Sequence, residues 1–328
     1  MDVFRAKEQK HKRWTRRALI AAGGTLAAGG AAVAGLAAFA KYSAPWFWER
    51  YQRERARGIG SAPHRPDPKA WPDTGLHAAW LGHATVLVKI DGFTILTDPQ
   101  FSDYAGIHIG PFGSLGFKRL TAPALSIEDL PPIDVILMSH AHMDHWDTRS
   151  LVRLKSKRTT VVTAAKTSDL LNPKRYAKVI ETGWNETAHV GPATFRAFEV
   201  KHWGARLRHD TYRGYNGYLI EAGGRRILFG GDTAYTSSFA SVKASRAVDL
   251  AIMPIGCYNP WHANHCNPEE AWQMGRMAGA ERFLPIHHQT FLLSNEPVNE
   301  PIERFLDAAR GDRALVPVEA IGQEHRFG

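Results

Sequence analysis

From Ala79 onward the chain is a succession of short apolar runs separated by Gly, Pro, Asp and Asn. Residues 85–90, 94–97, 135–138, 160–163, 195–200, 218–221, 227–229, 250–253 and 282–286 are dense in Val, Ile, Leu, Phe and Thr. Runs of that length between turn residues predict strands. Asp91-Gly92, between the first two, is a hairpin turn signal. Helices fit after Asp147, around residues 238–247 and over residues 267–278. The last has Asn267 placed to cap, Pro268 at the first helical position and Glu269-Glu270 in the first turn. Strands followed by interleaved helices imply a layered α/β fold, and no repeat at a solenoid period is visible. Residues 58–68, rich in Gly, Pro and charge, read as a linker, with the globular part starting near Ala70. Residues 101–124, rich in Gly, Pro and aromatics, are a candidate substrate loop.

Before this domain the pattern changes. Residues 18–40 carry no charge and include eleven alanines and five glycines. As a helix they would reach about 34 Å, enough to cross a bilayer. Arg16-Arg17 immediately ahead gives a twin-arginine-like export signal, and Ala38-Phe39-Ala40 gives a small-x-small cleavage site. Trp46-Phe47-Trp48 with Tyr51 reads equally as an interfacial belt beside a retained anchor. The expected organisation is therefore a signal or anchor over residues 1–40, a juxtamembrane segment and linker over 41–69, and one domain over 70–328. Its expected place is the periplasm, free or anchored to the membrane.

Charge adds little once this segment is removed. The formal net charge of +9 includes seven basic residues within the first forty, and the remainder carries 34 basic and 30 acidic side chains. A balance of +4 gives no case for nucleic acid. Cys257 and Cys266 are too few for a disulfide framework, although one bridge between them is open to an exported chain.

The chemistry is concentrated in His140-Ala-His142-Met-Asp144-His145, which follows a predicted strand. Imidazoles and carboxylates at this spacing suit zinc, or iron or manganese. His140 and His142 alternate toward one ion, while Asp144 and His145 reach a second. Four ligands within six residues cannot complete two shells, so distant loops must contribute. His202, Asp232 and His287 each lie just past a predicted strand and could converge on one sheet edge. Asp232, with two carboxylate oxygens, is the natural bridge. A hydroxide held between two ions would attack an ester or phosphodiester without a nucleophilic side chain. Asp98 is expected to orient a metal histidine, Asp147 either to do the same or to start the helix, and His288 to point away from the site by strand alternation.

These residues, with Trp80-Leu81-Gly82-His83-Ala84-Thr85, Thr97-Asp98-Pro99, Gly231-Asp232-Thr233, Pro254-Ile255-Gly256 and Pro268-Glu269-Glu270-Ala271, resemble the metallo-β-lactamase superfamily. Within it they are similar to the N-acylphosphatidylethanolamine-hydrolysing phospholipase D group. The resemblance implies an αββα four-layer sandwich and two zinc ions. It implies His140, His142 and His202 on one ion, Asp144, His145 and His287 on the other, and Asp232 between them. It also carries a catalytic role to His265, so that Asp144 and His265 are the candidate catalytic side chains. The implied substrate is a phospholipid at a membrane surface, with a lactone or other carboxylic ester as the rival; the alternative of another class is a non-catalytic metal-binding protein, against which the complete ligand set argues. His287-His288-Gln289-Thr290-Phe291 departs from the animal enzymes, which have Trp-Gly after the ligand histidine.

Overall fold

The computed structural model describes residues 34–35, 38–39, 41–43, 45–109, 113–243, 246–310 and 314–327. Arg16-Arg17 and most of the uncharged run after them lie outside these residues. Among the described residues no helix is long and apolar enough to cross a membrane. The chain divides into a smaller unit, residues 1–57 with 107–116, and a larger one, residues 58–106 with 117–328. In the smaller unit, helix α1 (Pro45–Arg55) stacks Trp48 on Tyr51 at 5.7 Å, and the Tyr51 hydroxyl donates to Ser114 O.

In the larger unit, β1 (Leu76–Gly82), β2 (Thr85–Ile90) and β3 (Phe93–Thr97) form an antiparallel meander. Asp91 and Gly92 both take positive φ (46° and 85°), as a two-residue hairpin turn requires. Residues 101–124, expected as a loop, hold a two-stranded hairpin, β4 (Tyr104–His108) and β5 (Ser114–Lys118). There follow β6 (Val135–Met138), helix α2 (Thr148–Arg153), β7 (Thr160–Ala164), β8 (Lys178–Thr182), β9 (Thr187–Val190) and β10 (Ala193–Phe198). Then come β11 (Gly217–Ala222), β12 (Arg225–Phe229), β13 (Leu250–Pro254), helix α3 (Pro268–Met277), β14 (Phe283–Ile286), helix α4 (Glu300–Ala308) and β15 (Glu324–Phe327).

One sheet runs β15-β1-β2-β3-β6-β7-β8, parallel from β3 to β8; the other runs β14-β13-β12-β11-β10-β9, parallel from β14 to β12. Alternate residues of the second sheet serve two cores, as strand periodicity dictates. Tyr218, Ile220, Ile227, Phe229 and Ile252 face the first sheet, while Leu219, Leu228, Ala251, Met253 and Phe283 pack under helices α3 and α4. A buried aromatic or aliphatic side chain contributes about 1.5–3 kcal/mol, so these two layers hold most of the fold's stability. Gly275 lets α3 close on the sheet, since a Cβ there would stand 2.3 Å from the Phe283 ring. Outside the first sheet lie α2 and short 3-10 turns. The layers are those of the expected αββα sandwich.

Asn267 caps α3 as expected, in a capping box with Glu270. The helix expected around residues 238–247 is a 3-10 segment, Ser237–Val242. Its serines hydrogen-bond locally and favour tight turns over a long helix. The strand expected over 195–200 begins two residues earlier, because the turn at Gly191 sets its register against β9. Residues 58–68 are not a free linker: Gly60 and His64 donate backbone hydrogen bonds to Leu120 O and Ile321 O. Cys257 and Cys266 are both buried and unpaired. The Cys266 thiol instead faces Pro254 O at 3.3 Å.

Candidate metal centre

β3 and β6 are parallel in one sheet and β10, β12 and β14 run the same way in the other, so within each sheet the loops at their C-terminal ends share an edge, and the side chains they carry meet. The loop after β6 supplies His140, His142, Asp144 and His145. His202 comes four residues past the end of β10 at Phe198, Asp232 from Gly230-Gly231-Asp232 after β12, and His287 directly after β14. The loop ahead of α3 brings His265. All eight side chains expected from the sequence meet there.

Their donor atoms fall into two clusters able to hold metal, with ligand atoms within 4.8 Å of one another. His140, His142, His202 and Asp232 make one; Asp144, His145, His287 and also His83 make the other. Asp232 links them. Its Oδ2 lies 3.1 Å from His145 Nε2, 3.2 Å from His287 Nε2, 3.8 Å from His202 Nε2 and 3.9 Å from both His140 Nε2 and His265 Nδ1. Buried and without a hydrogen-bond partner are His140 Nε2, His142 Nε2, His287 Nε2 and Asp232 Oδ1. Unsatisfied buried acceptors are costly unless something positive binds them. The facing, partnerless donors therefore fit a metal, and the residues present match the ion chemistry the sequence implies.

The other ring nitrogens fix the orientation. His145 Nδ1 donates to Asp98 Oδ2 at 2.7 Å and His202 Nδ1 to Asn264 O at 2.9 Å, while His140 Nδ1 stands 2.8 Å from Ser139 Oγ. Ser139 in turn donates its backbone N–H and its hydroxyl to Asp98. Asp98 is thus the orienting carboxylate expected from Thr97-Asp98-Pro99. Asp147 takes the other role: it caps α2, accepting from Arg149 N at 3.1 Å and from the Ser150 hydroxyl. His288 does turn away, stacking on Trp80 with ring centroids 4.4 Å apart. The reason is not strand alternation, since the strand ends at Ile286 and His287 adopts a left-handed backbone with φ 66°.

Electrostatics separate the imidazoles. Burial pushes His140 and His202 well below the ordinary imidazole range and takes His142 to about 4 and His83 to about 3. Burial also opposes charge on His145 and His287, but the Asp232 and Asp144 carboxylates outweigh it, raising His145 strongly and His287 to about 9. Metal must displace those two protons, so its uptake is coupled to proton release.

His83 was not among the residues expected in the site. Its Nε2 lies 3.1 Å from Asp144 Oδ2, and its backbone carbonyl accepts from His287 N at 3.0 Å. One residue thus touches two proposed ligands. The signal was Trp80-Leu81-Gly82-His83, legible as a family string but not as a site, because nothing local says that the β1–β2 turn reaches β14.

Gly256 lets the chain after β13 pack directly on His287, since a Cβ there would lie 2.2 Å from His287 O. Gly256→Ala is expected to displace His287 and weaken metal retention by about 10- to 100-fold, the usual scale for disturbing a ligand's support. Metal analysis after dialysis against a graded chelator reads this; unchanged retention would show that His287 is not held by this contact.

Beside His287 lies a shallow pocket of mixed character, with Leu120, Phe291 and Val298 on its apolar side and Gln289, Ser294 and Glu296 on its polar side.

With this fold and site, the chain belongs to the β-lactamase superfamily, whose domain model matches residues 94–288. It is a metal-dependent hydrolase of that superfamily. Among similar proteins is the N-acyl-phosphatidylethanolamine-hydrolyzing phospholipase D 1 of Caenorhabditis elegans, 32% identical over 275 residues, covering 75% of this chain and 75% of that protein. The mitochondrial N-acyl-phosphatidylethanolamine-hydrolyzing phospholipase D of Saccharomyces cerevisiae is 33% identical over 243 residues, covering 70% of this chain and 51% of that protein. Of solved structures, an isothiocyanate hydrolase from Delia radicum gut bacteria shares the fold, with a TM-score of 0.61 at 18% identity over 77% of this chain and 99% of its own.

Proposed function

We propose that the protein is a phospholipase D-type phosphodiesterase acting on N-acylphosphatidylethanolamine-like lipids, with a zinc ion at each cluster and Asp232 between them. The observation that carries this reading is the joining of two donor clusters through one carboxylate. Similarity to two enzymes named for that activity supports it. Bound zinc would make water nucleophilic near neutral pH and neutralise charge developing on the phosphate oxygens.

The protein's own groups do the rest. Asp98, Ser139 and the Asn264 carbonyl hold three imidazoles with Nε2 inward. His265, buried and 3.9 Å from Asp232, faces the same space and is placed to hydrogen-bond the phosphate or the leaving oxygen. Burial lowers it to about 4, so at neutral pH it acts as a neutral imidazole donating one N–H, not as a resting imidazolium.

The test is a product assay on detergent-dispersed phosphodiester lipids and acyl lactones, with phosphatidic acid and the released alcohol identified by mass. Phosphatidic acid from an N-acylphosphatidylethanolamine is expected to dominate. Faster turnover of lactones, or release of a fatty acid instead of phosphatidic acid, would replace the reading with that of a carboxylic ester hydrolase.

A further inference from the structure

The loop that delivers His202 also grips the loop that delivers the other histidines of its cluster. Arg206, four residues after His202, donates from Nη1 to Ala141 O at 3.1 Å and to Trp146 O at 2.9 Å. Those carbonyls bracket the ligand run: Ala141 lies between His140 and His142, and Trp146 directly follows His145. A planar guanidinium with fixed N–H directions holds two acceptors in one geometry. The loop behind it is braced in turn. Leu207 N donates to Asp210 Oδ1 at 2.6 Å and Arg213 Nε to Asp210 Oδ2 at 2.7 Å. The rest of the Arg213 guanidinium donates to Lys166 O and to both oxygens of Asp169. Arg206 therefore reaches from a loop of one sheet to a loop of the other on a fixed base.

Within this cluster one imidazole lacks the support that the others have. His140 and His202 are each oriented by a group that is not itself a proposed ligand, Ser139 and Asn264 O, as Asp98 orients His145 in the other cluster. Among the described residues His142 has no such group: its Nδ1 faces His202 Nε2 at 3.2 Å, and its Nε2 has no partner. What surrounds it comes from the His202 loop. Trp203 packs its ring with centroids 4.4 Å from those of both His142 and His202. A packed ring limits tilt but lets its neighbour slide, whereas Arg206 fixes the peptide carbonyl immediately before His142.

We propose that Arg206 is a positioning residue of the metal centre, holding His142 against His202 through the backbone in place of the hydrogen bond that the His142 ring lacks. The proposal rests on His140, His142, His202 and Asp232 serving one ion, and not on the lipid substrate. A guanidinium acting only as a charge would repel a cation, so its removal would tighten metal binding; removal of a support loosens it. The two accounts differ in sign.

The test strips the full chain of metal and titrates it with Co2+ against a chromophoric chelator, for wild type, Arg206→Met, Arg206→Gln and Arg206→Lys. Wild type is expected to take up two equivalents. Arg206→Met should bind one of them about 10- to 100-fold more weakly, the scale for losing a ligand's outer support. It should also alter the visible ligand-field bands of the fully loaded protein, which a merely structural role would leave in place. Arg206→Gln, smaller and polar, should change both in the same direction and serves if the methionine variant does not fold. Arg206→Lys, which keeps a donor on a long stem, should recover most of the affinity. Equal or tighter binding with unchanged bands in the neutral variants overturns the proposal, as does a wild type that takes up no cobalt. No lipid enters this measurement, so failure of the product assay above would reject the phospholipase reading and leave this result standing.

Discussion

Asp232→Ala is expected to lose at least one metal ion and to lower turnover by about a thousandfold or more. Asp232 Oδ2 lies within 4 Å of ring nitrogens from His140, His145, His202, His265 and His287, and its Oδ1 is buried with no hydrogen-bond partner. It reaches imidazoles of both clusters with one oxygen while the other has no partner, whereas Asp98 accepts from His145 and Ser139. Stabilisation by metal ions is a matter of several kcal/mol, and each 1.36 kcal/mol is a factor of ten in rate. The substitution also removes the charge that raises His145 and His287, so both imidazoles should shift toward the neutral form that burial favours. Elemental analysis of wild type and variant, with rates on one detergent-dispersed lipid, checks both parts. Full metal content with unimpaired turnover would remove Asp232 from the centre.

His265→Ala should keep the metal and lower phosphodiester turnover by roughly a hundredfold, the scale of a well-placed proton-transfer or hydrogen-bonding group. Acyl lactone turnover should change far less. His265 stands beside the two four-residue clusters and not within either: its Nδ1 lies 3.9 Å from Asp232, and it groups with Asp232 and His287 alone. Phosphorus presents more charged oxygens than a lactone carbonyl, so a donor at this position contributes more to the phosphodiester transition state. Since burial takes His265 to about 4, its protonation contributes no inflection to the rate between pH 6 and 8. Equal losses on both substrates, or loss of zinc, would assign His265 a structural part.

The sequence by itself determined the elements whose signals are local. β2 and β6 have the expected bounds because their apolar runs end on turn residues, and α3 starts at Asn267 because cap, proline and acidic first turn coincide. The loop after β6 was legible for the same reason, since four ligand-type residues within six positions need no tertiary information. The pattern of strand followed by ligand also marked His202, Asp232 and His287. Of the elements not predicted, β15, Glu-His-Arg-Phe, is an edge strand with polar side chains and β8 and β9 are half-exposed, whereas β1 is buried throughout and α4 carries an apolar face, so those two were missed despite a local signal. Only tertiary structure decided which carboxylate stands among all the imidazoles, because that depends on β6 and β12 ending at one edge of two different sheets. It also decided that His83 from the β1–β2 turn clasps Asp144 and His287. It separated Asp98 from Asp147 as well: both are buried carboxylates beside the motif, and only the position of the histidine ring tells the orienting group from the helix cap. Local chemistry chooses the donor atoms, whereas strand order, set by burial summed over two sheets, chooses which of them meet.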